Sequence, residues 1–189
     1  MSLTKIAPAL LLVAMLCHGA EAYAEAKESA PTPPVNTYKS KHGFKIDYPK
    51  SWILKTDLEE YDTLKEAARD GGNYFAVQSY QPDDPRIQSF HYFPADTLKM
   101  EAWIFPDESQ SLAEIITQTK DIMKIDDFDI GGKKAKKVWQ RLDDGESGEE
   151  VIYSIYFVDA GKRAVFTCYP TYSPLTSEFE KMVGSFRFE

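Results

Sequence analysis

The feature that most restricts the fold of this chain is a series of short strand patterns interrupted by two helix patterns. Residues 44–48 alternate apolar and charged side chains, as in a strand with one buried face. Further strands are predicted at residues 73–80, 98–105, 128–130, 135–142, 150–158 and 163–169. Gly131-Gly132 and the turn at residues 159–162 join neighbouring strands closely, so we expect antiparallel hairpins.

Two segments have the apolar period of helices that cover a sheet. Ser111 and Glu114 form a capping box that predicts a helix ending near Lys124. The apolar stripe behind this box consists of Leu112, Ile115, Ile116, Thr119, Ile122 and Met123. A last helix is predicted after Ser173-Pro174, ending at Gly184 before a strand at 185–188, and a short helix at residues 63–69. The chain is therefore predicted to be α+β, with a mainly antiparallel sheet covered by helices.

Residues 1–24 have the three parts of a secretory signal peptide. Lys5 precedes an uncharged, mostly apolar run at residues 6–17, and two Ala-x-Ala sites end at Ala22 and Ala24. The apolar run is shorter than the roughly 20 residues that a membrane-spanning helix needs. We therefore expect cleavage after Ala22 or Ala24, with the mature chain acting in the periplasm or outside the cell.

The residues from Cys17 onward allow three further predictions. Cys17 stands where bacterial lipoproteins carry an acylated cysteine, but the preceding Leu16 is bulky, so we expect Cys17 to leave with the leader. Residues 25–36 contain three prolines among small polar residues and are predicted to be a flexible linker. Residues 37–189 are long enough for one domain with its own core.

Cysteine content and charge exclude several classes of protein. After leader removal one cysteine remains, Cys168, so the mature chain has no intrachain disulfide. Cys168 stands in an apolar strand pattern and is expected to be buried and unreactive. The formal net charge of −8 argues against nucleic acid or anionic lipid as a partner, because both require a basic surface. No transmembrane segment is predicted in the mature chain.

Three segments of the chain resemble the PsbP-like superfamily. Residues 43–52 have the pattern Gly-Phe-x-Ile-x-Tyr-Pro-x-x-Trp with which those domains begin. The strand at residues 98–104 that leads into Ser111, and the closing segment at residues 179–188, are similar to later parts of the domain. The resemblance implies an α/β/α sandwich. It also implies binding without catalysis, since relatives include the lumenal PsbP of the photosystem and exported bacterial proteins of unknown function.

The sequence contains few residues typical of a catalytic site. With His18 in the leader, the mature chain has His42 and His91, and neither has a second ligand at metal-binding spacing. The chain has no nucleophile elbow and no phosphate-binding glycine loop. No catalytic residue and no cofactor are therefore predicted.

Two charged clusters each allow two interpretations. Asp126, Asp127 and Asp129 are weak candidates for a hard cation such as Ca²⁺, although carboxylates beside turns are ordinarily solvated surface. The lysines at residues 133–137 suit contact with an acidic partner or with lipid head groups. The interpretation that we expect is an exposed strand end, where lysines discourage edge pairing.

Aromatic side chains are concentrated in the central third of the chain, where most are expected to fill the core. If the loop at residues 90–93 is exposed, it is the best candidate for binding a partner, because exposed aromatic side chains mark interfaces. The candidate docking residues are Phe90, His91, Tyr92, Phe93 and Trp103.

Two functions from different classes remain open. The first is an exported, non-catalytic binding or accessory protein of the bacterial cell envelope that docks on a protein partner. The alternative is a small periplasmic hydrolase, or a ligand- or cation-binding protein, with a site assembled from Asp, Glu, Tyr and His91. A deep pocket with convergent polar groups and shifted pKa values would favour the alternative.

Overall fold

The computed structural model describes residues 34–56, 72–87, 93–143 and 149–189, with the backbone alone at Asp143 and Glu149. Within these residues the strands are β1 (Val35–Ser40), β2 (Phe44–Pro49), β3 (Ile53–Lys55), β4 (Asn73–Gln78), β5 (Lys99–Phe105), β6 (Ile122–Ile130), β7 (Lys133–Asp143), β8 (Glu149–Asp159), β9 (Lys162–Tyr169) and β10 (Arg187–Phe188). The helices in the same residues are α1 (Leu112–Gln118) and α2 (Thr176–Ser185). Neither of these helices has the length and apolar character needed to cross a membrane. The helix predicted at residues 63–69 lies outside the described residues.

The described strands form two antiparallel sheets. The larger sheet has seven strands in the order β3-β4-β5-β9-β8-β7-β6, and the smaller has the order β1-β2-β10. Two tight turns connect neighbouring strands of the larger sheet, β6 to β7 and β8 to β9. In these turns Gly131, Gly132 and Gly161 have φ values of 62°, 82° and 72°, which glycine adopts without steric cost. The predicted α+β fold with mainly antiparallel strands is therefore confirmed.

The core lies between one face of the larger sheet, the smaller sheet and α2. Strand alternation places Phe166 and Cys168 on this inner face, where both are fully buried. The ring of Phe186, which follows α2, lies 5.7 Å from Phe44, 6.2 Å from Phe157 and 5.0 Å from Phe166 between centroids. This cluster joins the two sheets through aromatic packing.

The opposite, outer face of the larger sheet carries α1. Before the helix, Glu108 forms an ion pair with Arg163 at 3.1 Å, and after it the Lys120 carbonyl accepts a hydrogen bond from Gln140 at 3.2 Å. Arg163 and Gln140 both point to the outer face by strand alternation, so α1 crosses that face with Ile115 buried. The two helices therefore cover opposite faces of the larger sheet.

The start of α1 follows the predicted capping box. Ser111 Oγ accepts a hydrogen bond from the Glu114 amide at 3.3 Å, and the Glu114 carboxylate accepts one from the Ser111 amide at 2.7 Å. Both donors belong to the helix terminus, where no intrahelical acceptor is available to them. A local sequence signal therefore decided where this helix begins.

The end of α1 differs from the prediction, which continued the helix to Lys124. The helix ends at Gln118, and Ile122, Met123 and Lys124 belong to β6. Asp121, with φ of 54°, turns the chain in the left-handed region between the two elements. The spacing of Ile122 and Met123 suited a helix, but pairing with β7 decides their conformation.

The lysine-rich segment at residues 133–137 does not lie at a sheet edge, where we expected its lysines to discourage pairing. It belongs to β7, which pairs with strands on both sides. Lys133, Lys136 and Lys137 form ion pairs with acids on neighbouring elements, namely Asp159, Asp127 and Glu180. These lysines therefore balance the acidic side chains of the sheet and its covering helix.

Two predicted boundaries shift by a few residues. β1 begins at Val35, so Val35 and Asn36 of the predicted linker pair with β2. α2 continues through Gly184 to Ser185, and the closing strand is limited to Arg187–Phe188. Both shifts follow from pairing in the smaller sheet, where β1 and β10 lie on either side of β2.

Candidate binding cleft

A cleft of about 600 Å³ opens between the edge of the larger sheet and the start of α2. We call it the β6–α2 cleft. It is lined by Met123, Lys124, Trp139, Tyr153, Thr171, Tyr172, Ser173 and Thr176. These residues come from three adjacent strands, from the segment that connects β9 to α2 and from the first residue of α2.

The floor of the cleft is two stacked aromatic rings. Trp139 and Tyr153 pair across β7 and β8, with 4.6 Å between ring centroids and 4° between ring planes. The buried Tyr153 hydroxyl donates to Glu180 of α2 at 2.7 Å, and Glu180 forms an ion pair with Lys137 at 2.7 Å. Burial and the neighbouring Glu180 carboxylate raise the pKa of Tyr153. The floor is therefore held in position by both the sheet and α2.

The rim of the cleft is exposed and largely apolar. Tyr172 is 76% exposed and Met123 is 50% exposed. A β-bulge between Ile122 and Lys124 allows the consecutive residues Met123 and Lys124 to line the same cleft. The Lys124 ammonium lies 4.5 Å from the centre of the Trp139 ring, in a cation–π contact.

The hydroxyl groups that line the cleft hold the backbone in place. Thr171 donates to the Val151 carbonyl, and Ser173 donates to the Thr97 carbonyl at 2.9 Å. Thr176 likewise donates to the carbonyl of Ser173. The surface presented to a ligand therefore consists mainly of aromatic and thioether groups with one ammonium at the rim.

The predicted docking residues lie elsewhere in the chain. Phe90, His91 and Tyr92, and with them the alternative site that includes His91, fall outside the described residues. Phe93 and Trp103 are half-buried on the outer face of the larger sheet, whereas the cleft opens on the inner side. The structure does not bring these two residues to the cleft, and their docking role stays a prediction.

The rings of Phe93 and Trp103 take part in two separate contacts. Phe93 lies 6.3 Å from Tyr169, whereas Trp103 lies 5.0 Å from Tyr74. Tyr169 and Trp103 are on neighbouring strands but four residues apart in register. Each ring therefore packs locally against an aromatic neighbour.

The three aspartates proposed as weak cation ligands lie on both faces of β6. Asp127 and Asp129 share one face of the strand, and Asp126 points to the other. Asp126 and Asp127 each form an ion pair with a lysine, and Asp129 accepts a hydrogen bond from the Gly132 amide at 2.8 Å. In the part of the chain that the structure describes, no three His, Cys, Asp or Glu side chains lie together as a metal site.

The cleft was not predicted from the sequence, because the residues that line it lie in elements that are far apart along the chain. Trp139 and Tyr153 stand in strand patterns and gave no sign of lying beside a surface opening. Tyr172 offered a usable signal, since a large aromatic residue in a segment of Pro, Thr and Ser has few local ways to be buried.

Comparisons with known proteins identify similar structures at low sequence identity. No family model matches the sequence, and no curated protein matches it. The structure is similar to the cyanobacterial PsbP (CyanoP) from Synechocystis sp. PCC 6803, with 12% identity and a TM-score of 0.49, covering 85% of this chain and 96% of that one. It is also similar to a crystal structure from Bacteroides thetaiotaomicron VPI-5482, with 12% identity and a TM-score of 0.48, covering 81% of this chain and 48% of that one.

Proposed function

We propose that this protein is an exported, non-catalytic accessory protein of the bacterial cell envelope that docks on a protein partner through the β6–α2 cleft. The observation that carries the proposal is the pair of exposed apolar side chains, Tyr172 and Met123, beside a fixed aromatic floor. Tyrosine, tryptophan and methionine are enriched at protein interfaces, and exposed groups of them mark binding surfaces.

The rigidity of the floor favours binding of a protein side chain. Trp139 stacks on the buried Tyr153, and Tyr153 is bonded to Glu180, so little side-chain entropy is lost when a partner covers Trp139. Aromatic residues in such a position are the usual anchors of an interface. Lys124 at the rim can donate to a carbonyl or carboxylate of the partner.

The polar groups of the cleft support a binding role over a chemical one. The hydroxyls of Thr171, Ser173 and Thr176 donate to backbone carbonyls, which occupies the proton that a base would need to remove from a nucleophile. The raised pKa of Tyr153 keeps its phenol neutral at physiological pH. These groups shape the surface rather than activate a reaction.

The leader supports export, and the family resemblance supports binding. Residues 1–24 have the organisation of a signal peptide, and the three segments at residues 43–52, 98–104 and 179–188 resemble a family that binds without catalysis. Export is tested by cell fractionation with mass spectrometry of the N-terminus. A mature N-terminus after Ala22 or Ala24 in the envelope fraction is expected, and an intact cytoplasmic chain contradicts the proposal.

Docking is tested by site-specific photo-crosslinking in whole cells. A photoreactive residue at position 172 is expected to yield one defined envelope protein, whereas the same residue at exposed Lys50 yields none. Tyr172→Ala should weaken the purified complex about tenfold, as expected for an interface anchor. Val35→Ala, at another exposed apolar residue, should leave binding unchanged. Equal crosslinking at both positions, or none, contradicts docking at the cleft.

A further inference from the structure

The outer edge of the larger sheet is formed by β6. Within the described residues, β6 pairs with β7 alone, through eight of its nine residues, so a row of backbone donors and acceptors faces away from the sheet. Such an edge can pair with another strand unless its side chains prevent it. Ile125, in the middle of the exposed part, is 41% exposed.

The side chains on either side of Ile125 carry opposite charges and can pair with the same two side chains of a second copy. Lys124 and Asp126 lie on the same face of β6, are 59% and 42% exposed, and form an ion pair within the chain. When two β6 strands run antiparallel and Ile125 pairs with Ile125, Lys124 of each copy stands directly opposite Asp126 of the other. Opposite charges at such positions stabilise strand pairing, and apolar pairs do the same.

We propose that two copies of this chain associate edge to edge through β6, in an antiparallel register centred on Ile125. Shifting the register by one residue to centre it on Asp126 would put two carboxylates face to face, which is unfavourable. The charge pattern therefore selects one register among its neighbours. The resulting interface is isologous, with each copy using the same surface.

The proposed pairing has a consequence for the β6–α2 cleft. The two-fold axis runs through the paired Ile125 residues, perpendicular to the sheet, so both inner faces lie on the same side. The pair would thus present two clefts side by side, with Lys124 at the rim of each. Self-association does not depend on the proposed docking function, since it arises from the strand edge and its charges.

The interface uses few side chains, so we expect weak association, with a dissociation constant on the order of 100 µM. Sedimentation velocity of the purified protein from about 10 µM to about 1 mM should show a concentration-dependent shift from monomer to dimer. A monomer throughout this range overturns the proposal.

Charge reversal tests the register directly. K124D and D126K should each be monomeric alone, because each places like charges opposite one another across the axis. Mixing the two variants should restore a one-to-one dimer, because both carboxylates of the first then face both ammonium groups of the second. A folding defect cannot produce this rescue, and circular dichroism of each variant provides an independent check of folding.

A matched pair elsewhere serves as the control. Lys45 of β2 and Glu189, which follows β10, form an exposed ion pair at 3.1 Å, with 42% and 41% exposure. K45D and E189K should each form dimers with the same concentration dependence as the unaltered protein. Failure of the K124D and D126K mixture to dimerise overturns the proposed register. Tyr172→Ala should weaken partner binding about tenfold without changing self-association, which separates failure of this inference from failure of the docking function.

Discussion

Lys99 and Glu101 form an ion pair along β5, on the outer face of the larger sheet, with side-chain exposures of 7% and 18%. The Tyr74 hydroxyl donates to the same Glu101 carboxylate at 3.2 Å. Each charge has lost most of its water, so the attraction of the other charge is needed to offset that loss of hydration. The outer face therefore contains a compensated charge pair rather than a continuous apolar surface.

Breaking this pair from one side should destabilise the fold. We expect Lys99→Met to lower the free energy of unfolding by about 2 kcal/mol, because Glu101 is left as a largely buried carboxylate without its cation. Lys99→Met/Glu101→Leu should recover most of that loss. Urea denaturation measures both, and Lys181→Met, at an exposed lysine, should change stability by less than about 0.5 kcal/mol. Equal effects at Lys99 and Lys181 would contradict this account.

The hydrogen bond that fixes the cleft floor should contribute measurably to stability. Tyr153→Phe removes the hydroxyl that donates to Glu180 at 2.7 Å, and we expect a loss of about 1 kcal/mol, since Glu180 keeps its contact with Lys137. Tyr172→Phe removes the hydroxyl of an exposed tyrosine and should have almost no effect. Chemical denaturation of both variants makes the comparison, and a larger effect at Tyr172 would show that the floor is not held by this bond.

The Cys168 thiol should respond to pH as a buried group. Burial raises its pKa from 9.0 to about 12, so the native state keeps the proton that the unfolded state loses. The free energy of unfolding should therefore fall as the pH rises through 9, by at most about 1.4 kcal/mol per pH unit. Cys168→Ala should flatten this slope between pH 8 and 10. In the native protein at pH 8 the thiol should not react with a disulfide reagent, and rapid reaction would contradict its burial.

Two adjacent glycines in the turn between β6 and β7 should differ in their tolerance of alanine. A Cβ at Gly131 would lie 2.7 Å from the Arg187 guanidinium, which donates to the Gly184 carbonyl at 2.7 Å, whereas nothing lies within 4 Å of a Cβ at Gly132. Both positions have positive φ, so each substitution costs about 1 kcal/mol of backbone strain. Gly131→Ala should cost about 1 kcal/mol more than Gly132→Ala because of the clash. Thermal unfolding midpoints of the two variants test this order.

Much of the fold was predictable because its signals are local. The alternation at residues 44–48 identified a strand with one buried face, and Gly131-Gly132 identified the turn between β6 and β7. The Ser111–Glu114 capping box, which spans a single helical turn, located the start of α1. Each of these signals depends on residues a few positions apart, where sterics and hydrogen bonding do not require the rest of the fold.

The candidate site was not predictable in the same way. The end of α1 depends on β7, since Ile122 and Lys124 become strand residues through pairing with Gln140 and Trp139. The cleft brings Met123 together with Tyr172, which is almost fifty positions later in the chain. Neither contact leaves a pattern in the adjoining residues.

The sequence by itself determined the mainly antiparallel class, the turn and cap positions, and the burial of Cys168. The tertiary structure decided that β6 stands at the sheet edge, that Trp139 and Tyr153 floor a cleft, and that Lys99 and Glu101 compensate each other inside the protein. The physical reason is the range of the interactions. Backbone sterics, caps and apolar periodicity act between near neighbours, whereas pairing, clefts and charge compensation depend on which distant segments the packed core brings together.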